Sequence, residues 1–360
     1  VVEIARAIRQ QANLIIMDEP TTSLTDHEIE HLFEIMRSLR QGGVSIVFIS
    51  HKIKEILTVC NAYTVLRDGE VADNGTVDGV GEEEIVRKMV GRELAQHEYY
   101  EPRQVGQSIL EVRDLSAEGA FRNIDFSLHR GEILGFTGLV GDGRSELFES
   151  IFGYRPYDSG EIRVDGRAVR VTHPTDAAHA GMGYAPKDRK ENAIVNDLTV
   201  LHNISLPSLR RFIRGPVIDQ KRELQEGMHY AERLRIKMRN INDPIRNLSG
   251  GNQQKAVLAK WLEAGSDIII LDSPTQGIDV GAKGEIYELM VELAKAGKAV
   301  VMLSSEFGEI LRVCDRIIVM FHGEKTGELP RSQADEEVLT MYATGVRRDT
   351  QEDQLEATKQ

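Results

Sequence analysis

Aliphatic runs that stop at a short polar step punctuate this chain. Ile268-Ile269-Ile270-Leu271 has no polar interruption, the pattern of a strand buried on both faces, and Asp272 stands at its C-terminal end. Residues 44–49 and 299–303 read the same way, and the first of these ends on Ser50-His51. Residues 26–39 instead place Ile29, Leu32, Phe33, Met36 and Leu39 at helical spacing until Gly42-Gly43 stops them. Residues 63–67 and 71–73 around Asp68-Gly69 predict a hairpin. Residues 82–90 predict a short helix whose Glu82-Glu83-Glu84 start suits the dipole, and residues 92–107 a polar linker. Beyond it come a strand at 109–112, a strand pair at 124–128 and 132–136, and a Leu/Arg-rich helical stretch reaching about residue 239. An amphipathic helix is expected at 256–263, and the polar chain after Tyr342 is expected to fray.

An internal repeat orders these elements. Leu14-Ile15-Ile16-Met17-Asp18-Glu19-Pro20-Thr21 matches Ile268-Ile269-Ile270-Leu271-Asp272-Ser273-Pro274-Thr275 at an offset of 254 residues, without a gap through Ser50/Ser304, Cys60/Cys314 and Gly69/Gly323. Self-similarity of this length means tandem homologous domains. The first copy opens at the position equivalent to Lys255, so about 150 residues, a typical domain's worth, are expected to be lacking upstream. The expected organisation is the C-terminal part of a first domain at 1–95, a linker at 96–107, a second domain at 108–345 and a polar tail at 346–360.

Composition narrows the class. A hydrophobic fraction of 41% with 28% charged residues is ordinary for a globular protein. No apolar run approaches the ~20 residues that span a bilayer. A net charge of -13 argues against nucleic acid as main partner. The two cysteines, Cys60 and Cys314, hold equivalent positions in the repeat and are expected to be small core residues in a reducing compartment. No signal peptide is recognisable, and Val1 opens in mid-helix pattern.

Two stretches carry phosphate chemistry. In Asn247-Leu248-Ser249-Gly250-Gly251-Asn252-Gln253-Gln254-Lys255, Ser249 suits a helix N-cap and the glycines allow close approach, so the amides and dipole of the helix start can meet a phosphate. Gly138-Leu139-Val140-Gly141-Asp142-Gly143-Arg144-Ser145 fits a phosphate loop with arginine in place of lysine. Its amides can still cradle phosphate oxygens and Ser145 can meet Mg²⁺, but the planar fork of Arg144 is a poor substitute for an ammonium at the β/γ-phosphates. An acid at a strand end of such a sheet, Asp18 or Asp272, is where phosphate-bound Mg²⁺ needs a ligand.

The Leu248-Ser249-Gly250-Gly251-Asn252 stretch, the helix after it and the four aliphatics before Asp272 together resemble the signature and Walker B motifs of ATP-binding-cassette (ABC) ATPases. The resemblance implies an α/β P-loop NTPase fold with two tandem nucleotide-binding domains, the first incomplete, each sheet flanked by helices and a helical signature subdomain in the second. It assigns Asp18 to the metal, Glu19 to the catalytic base and His51 to the switch histidine; the second copy keeps Asp272 but has Ser273 and Ser305 at the other two places. Neither serine can act as a carboxylate base or carry positive charge. In ABC proteins each ATP lies between the phosphate loop of one domain and the signature of the other. By that rule Asp18, Glu19 and His51 pair with Leu248–Asn252 in a competent site, while Gly138, Gly141, Asp142, Gly143, Arg144, Ser145 and Glu146 with Asp272 bind nucleotide without turning it over.

Within that family the chain looks like the ATPase subunits of bacterial monosaccharide importers of the ribose, galactose and arabinose type. The similarity rests on Gly143-Arg144-Ser145-Glu146, the Asn252-Gln253-Gln254 run, Gly277-Ile278-Asp279-Val280-Gly281-Ala282 and Ser304-Ser305-Glu306. The chain departs from the family at Ser273 (usually glutamate), Gln276 (usually arginine) and Lys187 (usually glutamate), and no glutamine stands at the expected glutamine loop. The resemblance implies ATP and Mg²⁺ as cofactors, membrane permease subunits fed by a periplasmic sugar-binding protein as partners, no nucleic acid, and a peripheral place on the cytoplasmic face of the inner membrane; it admits a homodimer. Lacking a first phosphate loop, this chain by itself is expected to hydrolyse ATP weakly or not at all. The alternative is a twin-cassette ATPase not coupled to transport, which tends to carry basic extensions or zinc-spaced cysteines, neither of which occurs here.

Overall fold

The computed structural model describes residues 12–349 apart from 19, 22–25, 51–52, 68–69, 82–83 and 86–98. Packing divides the chain into two units, residues 1–97 with 279–284, and 98–278 with 285–360.

In the first unit, β1 (Leu14–Asp18), α1 (Asp26–Gln41) and β2 (Ser45–Ile49) form a βαβ step whose strands pair in parallel, Asp18 opposite Ile49. Alternation decides which side is dry. Ile15 and Met17 bury against Leu32, Phe33, Met36 and Val59, and Phe33 meets Phe48 edge-on at 6.3 Å. The expected two-face burial of residues 44–49 is not what the structure has: Leu14, Ile16, Val47 and Ile49 on the other face are exposed, because among the described residues this sheet has two strands and α1 covers one side. After α2 (Ile53–Val59), the predicted hairpin appears as antiparallel β3 (Ala62–Arg67) and β4 (Glu70–Thr76), its Tyr63 hydroxyl donating to Asp73 at 2.8 Å. The tip Asp68-Gly69, and most of the predicted 82–90 helix, lie outside the described residues.

The second unit runs β5 (Ser108–Ala117), β6 (Phe121–His129), β7 (Ile133–Gly138), α3 (Arg144–Ile151), β8 (Ser159–Val164), β9 (Arg167–Ala168), α4 (Pro174–His179), β10 (Met182–Ala185) and α5 (Val200–Ser205). It continues through β11 (Ile213–Arg214), β12 (Val217–Ile218), α6 (Gln220–Arg233), α7 (Gly250–Glu263), β13 (Ile268–Asp272), α8 (Val280–Lys295), β14 (Ala299–Leu303), α9 (Phe307–Val313), β15 (Arg316–Phe321), β16 (Glu324–Pro330) and α10 (Glu336–Ala343). Besides the short antiparallel pair β11-β12, two sheets result, one antiparallel in the order β6-β5-β8-β9, the other β10-β13-β14-β7-β15-β16 and parallel except for β16.

The predicted pairing of residues 124–128 with 132–136 is corrected here: β6 pairs with β5, whereas β7 crosses to lie between β14 and β15. Burial gives the reason. Every side chain of β7 is buried, as a central parallel strand requires, while β6 alternates and leaves one face to water. Phe126, Phe136 and Phe148 close the gap between the sheets with ring centroids 4.7–5.8 Å apart. The Leu/Arg-rich stretch is likewise not one helix, since β11 and β12 interrupt it around Gly215 and α6 ends at Arg233. Among the described residues no helix is long and apolar enough to cross a membrane.

Two polar stretches are tied down. Tyr99 is buried against Tyr287 at 5.3 Å, and Arg103 pairs with Asp315 at 3.1 Å. The chain after Tyr342 does not fray at once: Asp349 accepts from the Tyr342 hydroxyl at 2.7 Å and from the Glu328 amide at 2.8 Å. Cys314 is buried and Cys60 half-buried, both as free thiols.

Candidate functional site

Five parallel strands end on one edge of the large sheet, the edge at which α/β folds bind ligands. That edge carries the loop after β7, Asp272 after β13 and Ser304-Ser305 after β14, with β14 between the other two strands. The topology therefore gathers the phosphate loop and the acid of the second copy, as the sequence predicted.

The loop is built on positive-φ glycines. Gly138 and Gly143 have φ of +156° and +93°; a side chain on Gly138 would lie 2.1 Å from an Asp142 carboxylate oxygen, and one on Gly143 2.6 Å from the Ala120 carbonyl. Arg144 folds back into the loop. Its Nη1 donates to the Gly138 carbonyl at 3.1 Å, the Leu139 carbonyl at 3.4 Å and Asp142 Oδ2 at 2.5 Å, while its amide donates to Asp142 Oδ1 at 3.0 Å. Burial pushes the Asp142 carboxyl above its usual range against the pull of Arg144. The Asp142 carboxylate thus takes both the amide and the guanidinium of Arg144. Ser145 and Glu146 are half-exposed in the first turn of α3.

Asp272 is buried and accepts from the Ser273 hydroxyl at 3.0 Å and, more weakly, from the Tyr184 hydroxyl at 3.4 Å. Ser273 has φ +48°, a left-handed backbone at the residue where the first copy has Glu19. Ser305 is exposed. Among the described residues no three His, Cys, Asp or Glu side chains gather as a metal-holding group. The carboxylate of Asp272 and the hydroxyl of Ser145 are oxygen ligands of the kind Mg²⁺ takes beside phosphates.

The signature stretch opens α7. Ser249 occupies the N-cap position, but the expected capping bond is absent: its hydroxyl accepts from Asn252 Nδ2 at 2.9 Å, and Asn252 Oδ1 accepts from the Lys237 amide at 2.8 Å. The helix starts at Gly250, six residues earlier than predicted. A cavity of about 640 Å³ lies here, lined by Lys237, Arg239, Leu248, Ser249 and Asn252 among others. No hydrogen bond among the described residues joins Leu248–Asn252 to the phosphate loop. Trp261 anchors α7 to the sheet, donating Nε1 to the Tyr184 carbonyl at 2.7 Å.

In the first copy Asp18 ends β1 and is exposed; Glu19 and His51 lie outside the described residues. One group went unnoticed in the sequence. Thr21 and Ser50 donate to Glu55 at 2.7 and 3.2 Å, and Thr275 and Ser304 donate to Glu309 at 2.6 and 3.0 Å. These are equivalent positions at the 254-residue offset, so recurrence of Thr, Ser and Glu in both copies was the available signal. Each trio ties the loop after the acid-bearing strand to the end of its neighbour.

A family model described as ABC transporter matches residues 121–276. The chain is 47% identical over 348 residues to the ribose import ATP-binding protein RbsA of Bacillus licheniformis, covering 96% of this chain and 70% of that protein. It is 43% identical to ribose import ATP-binding protein RbsA 2 of Streptomyces avermitilis (96% and 68% covered), and 42% identical to RbsA of Bacillus subtilis (96% and 70%). Among solved structures it is similar to cbiO1 of Clostridium perfringens, part of the ABC transporter complex cbiONQ, with a TM-score of 0.55 and 21% identity over 67% of this chain and 95% of that one. The ATP-binding cassette MJ0796 bound to ADP and Pi matches with a TM-score of 0.54 and 23% identity, over 62% of this chain and 99% of that one. At these identities the structures speak for the fold.

Proposed function

The chain belongs to the family of ATP-binding subunits of ABC sugar importers, and from that premise we propose that it energises uptake of a monosaccharide by binding and hydrolysing ATP. The chemistry needs a nucleotide held by backbone amides, a carboxylate to polarise the attacking water and a cation-capable group on the transferring phosphoryl. Glu19 serves as the base and His51 as the switch, with Asp18 as metal ligand. In the second copy Gly138, Gly141, Asp142, Gly143, Arg144, Ser145 and Glu146 with Asp272 retain nucleotide without turnover. Leu248, Ser249, Gly250, Gly251 and Asn252 contact the phosphates of a nucleotide held by a phosphate loop other than their own. Mg²⁺, held by Asp18 in one copy and by Asp272 and Ser145 in the other together with the phosphates, supplies charge neutralisation when bound.

One observation carries this reading: at the repeat offset the second copy keeps the acid, Asp272, but replaces the base and the switch by Ser273 and Ser305. Permease subunits in the cytoplasmic membrane are the coupled partners, fed by a periplasmic sugar-binding protein, with the ATPase on the cytoplasmic face. Reconstituting the subunit with its permease in proteoliposomes tests the proposal. ATP hydrolysis should rise when sugar-loaded binding protein is enclosed on the opposite side, and failure to assemble with any permease, with recovery on ribosomes, would contradict it.

A further inference from the structure

The short hairpin of β11 and β12 is exposed on both faces. Ile213 pairs with Ile218 and Arg214 with Val217, so alternation sets the two isoleucines on one side and Val217 on the other. Ile213 is 49% exposed, Ile218 40% and Val217 63%. A two-stranded hairpin has little stability of its own in water, and aliphatics displayed on an unpaired strand edge are a liability that folds usually blunt. Here they stand beside a turn whose Gly215 has φ +60° and whose Pro216 offers no amide to desolvate.

The chain on either side of the turn is basic. Residues 210–222 hold five cations and one acid in a protein whose net charge is -13. Arg211 is tied to Glu263 at 3.4 Å and Arg214 to Asp219 at 3.2 Å. Arg210, just before β11, and Lys221, in the first turn of α6, are exposed and have no ion pair among the described residues. The base of the hairpin is closed by the Asp219 amide, which donates to the Phe212 carbonyl at 2.8 Å, and Phe212 is buried as its anchor. Aliphatics therefore lie toward the tip and unpaired cations at the base.

That order is complementary to an anionic lipid surface, where apolar side chains sit below the headgroups and long cationic ones reach back to the phosphates. A protein partner would cover one face and bury far more area than four strand residues offer. A single-stranded nucleic acid would need an exposed ring to stack on, and the Phe212 ring is buried. We infer that the β11-β12 hairpin inserts among the headgroups of an anionic bilayer, with Ile213, Val217 and Ile218 as the wedge and Arg210 and Lys221 on the lipid phosphates. The inference rests on the place at the membrane proposed above and adds to it a lipid contact that needs no permease.

Co-sedimentation of the full chain with vesicles of phosphatidylglycerol and phosphatidylethanolamine in equal parts, without permease, tests it. The chain should bind these vesicles, not bind phosphatidylcholine vesicles, and lose affinity as salt rises. Arg210→Glu with Lys221→Glu should weaken binding at least about 30-fold. Ile213→Ser with Val217→Ser should weaken it at least about 10-fold. Both pairs should keep the Tm, because these side chains are exposed. Arg167→Glu with Arg170→Glu, exposed cations on and just after β9, should change binding less than about 3-fold. Trp261, the one native tryptophan, is buried, so Val217→Trp adds a reporter at the hairpin whose emission should shift to the blue on the anionic vesicles. No binding to those vesicles, equal weakening by the β9 pair, or an unshifted Val217→Trp would overturn the inference. A hairpin needed to capture purified permease in detergent but not to bind vesicles would be a protein contact and would overturn it too. The transport reading stands or falls separately, on stimulation by sugar-loaded binding protein in proteoliposomes.

Discussion

At the scale of single residues, the loop after β7 is held by an ion pair of its own. Asp142 takes the Arg144 amide and guanidinium inside the loop, and both side chains are buried. Arg144→Met should therefore leave a buried carboxylate without its cation and destabilise the protein by about 3 kcal/mol, whereas pairing it with Asp142→Asn should restore most of the loss; denaturant unfolding of both variants measures the difference. The Glu309 trio gives a second test. Glu309→Ala strips the partner from the Thr275 and Ser304 hydroxyls, with an expected loss of about 2 kcal/mol by the same method. Gly138–Ser145 stands out in the sequence because a phosphate loop has a spacing rule of its own. Glu309 does not, because a buried carboxylate bonded to hydroxyls has no such rule.

At the scale of elements, legibility followed burial. The run Ile268–Asp272 is apolar throughout because β13 is buried on both faces, and it was placed correctly from pattern alone. Residues 44–49 have the same pattern, but among the described residues the sheet they join has two strands and one covered face, which composition cannot reveal. The misassigned pairing of β6 with β7 has a similar origin: adjacency in sequence suggested a hairpin, whereas the full burial of β7 already marked it as a central strand. Ser249 takes the N-cap position expected of it, but its hydroxyl accepts from Asn252, one turn on, instead of from a helix amide. Within α7, burial depresses Lys260 to about 8 while its Nζ donates to the Ala193 carbonyl at 2.8 Å. A lysine whose folded value lies below its unfolded one binds fewer protons folded, so stability should rise between about pH 8 and pH 10.5. Lys260→Met should remove that rise, as unfolding curves across the window would show. Gly183→Ala should destabilise the packing of α7 against β10, since the added carbon would lie 2.7 Å from Trp261 Cβ.

At the scale of the whole molecule, the repeat is the organising fact. Two copies share a strand, an acid and a Thr-Ser-Glu trio, yet they differ at the two positions proposed here as base and switch. Family membership explains the shared parts, and the serines explain why only one copy is expected to turn over ATP. The most direct measurement is steady-state ATP hydrolysis by the subunit assembled with its permease, comparing Glu19→Gln with Ser273→Ala. The account predicts a loss of about 100-fold or more for Glu19→Gln and little change for Ser273→Ala; comparable losses from both, or retained activity in Glu19→Gln, would contradict it.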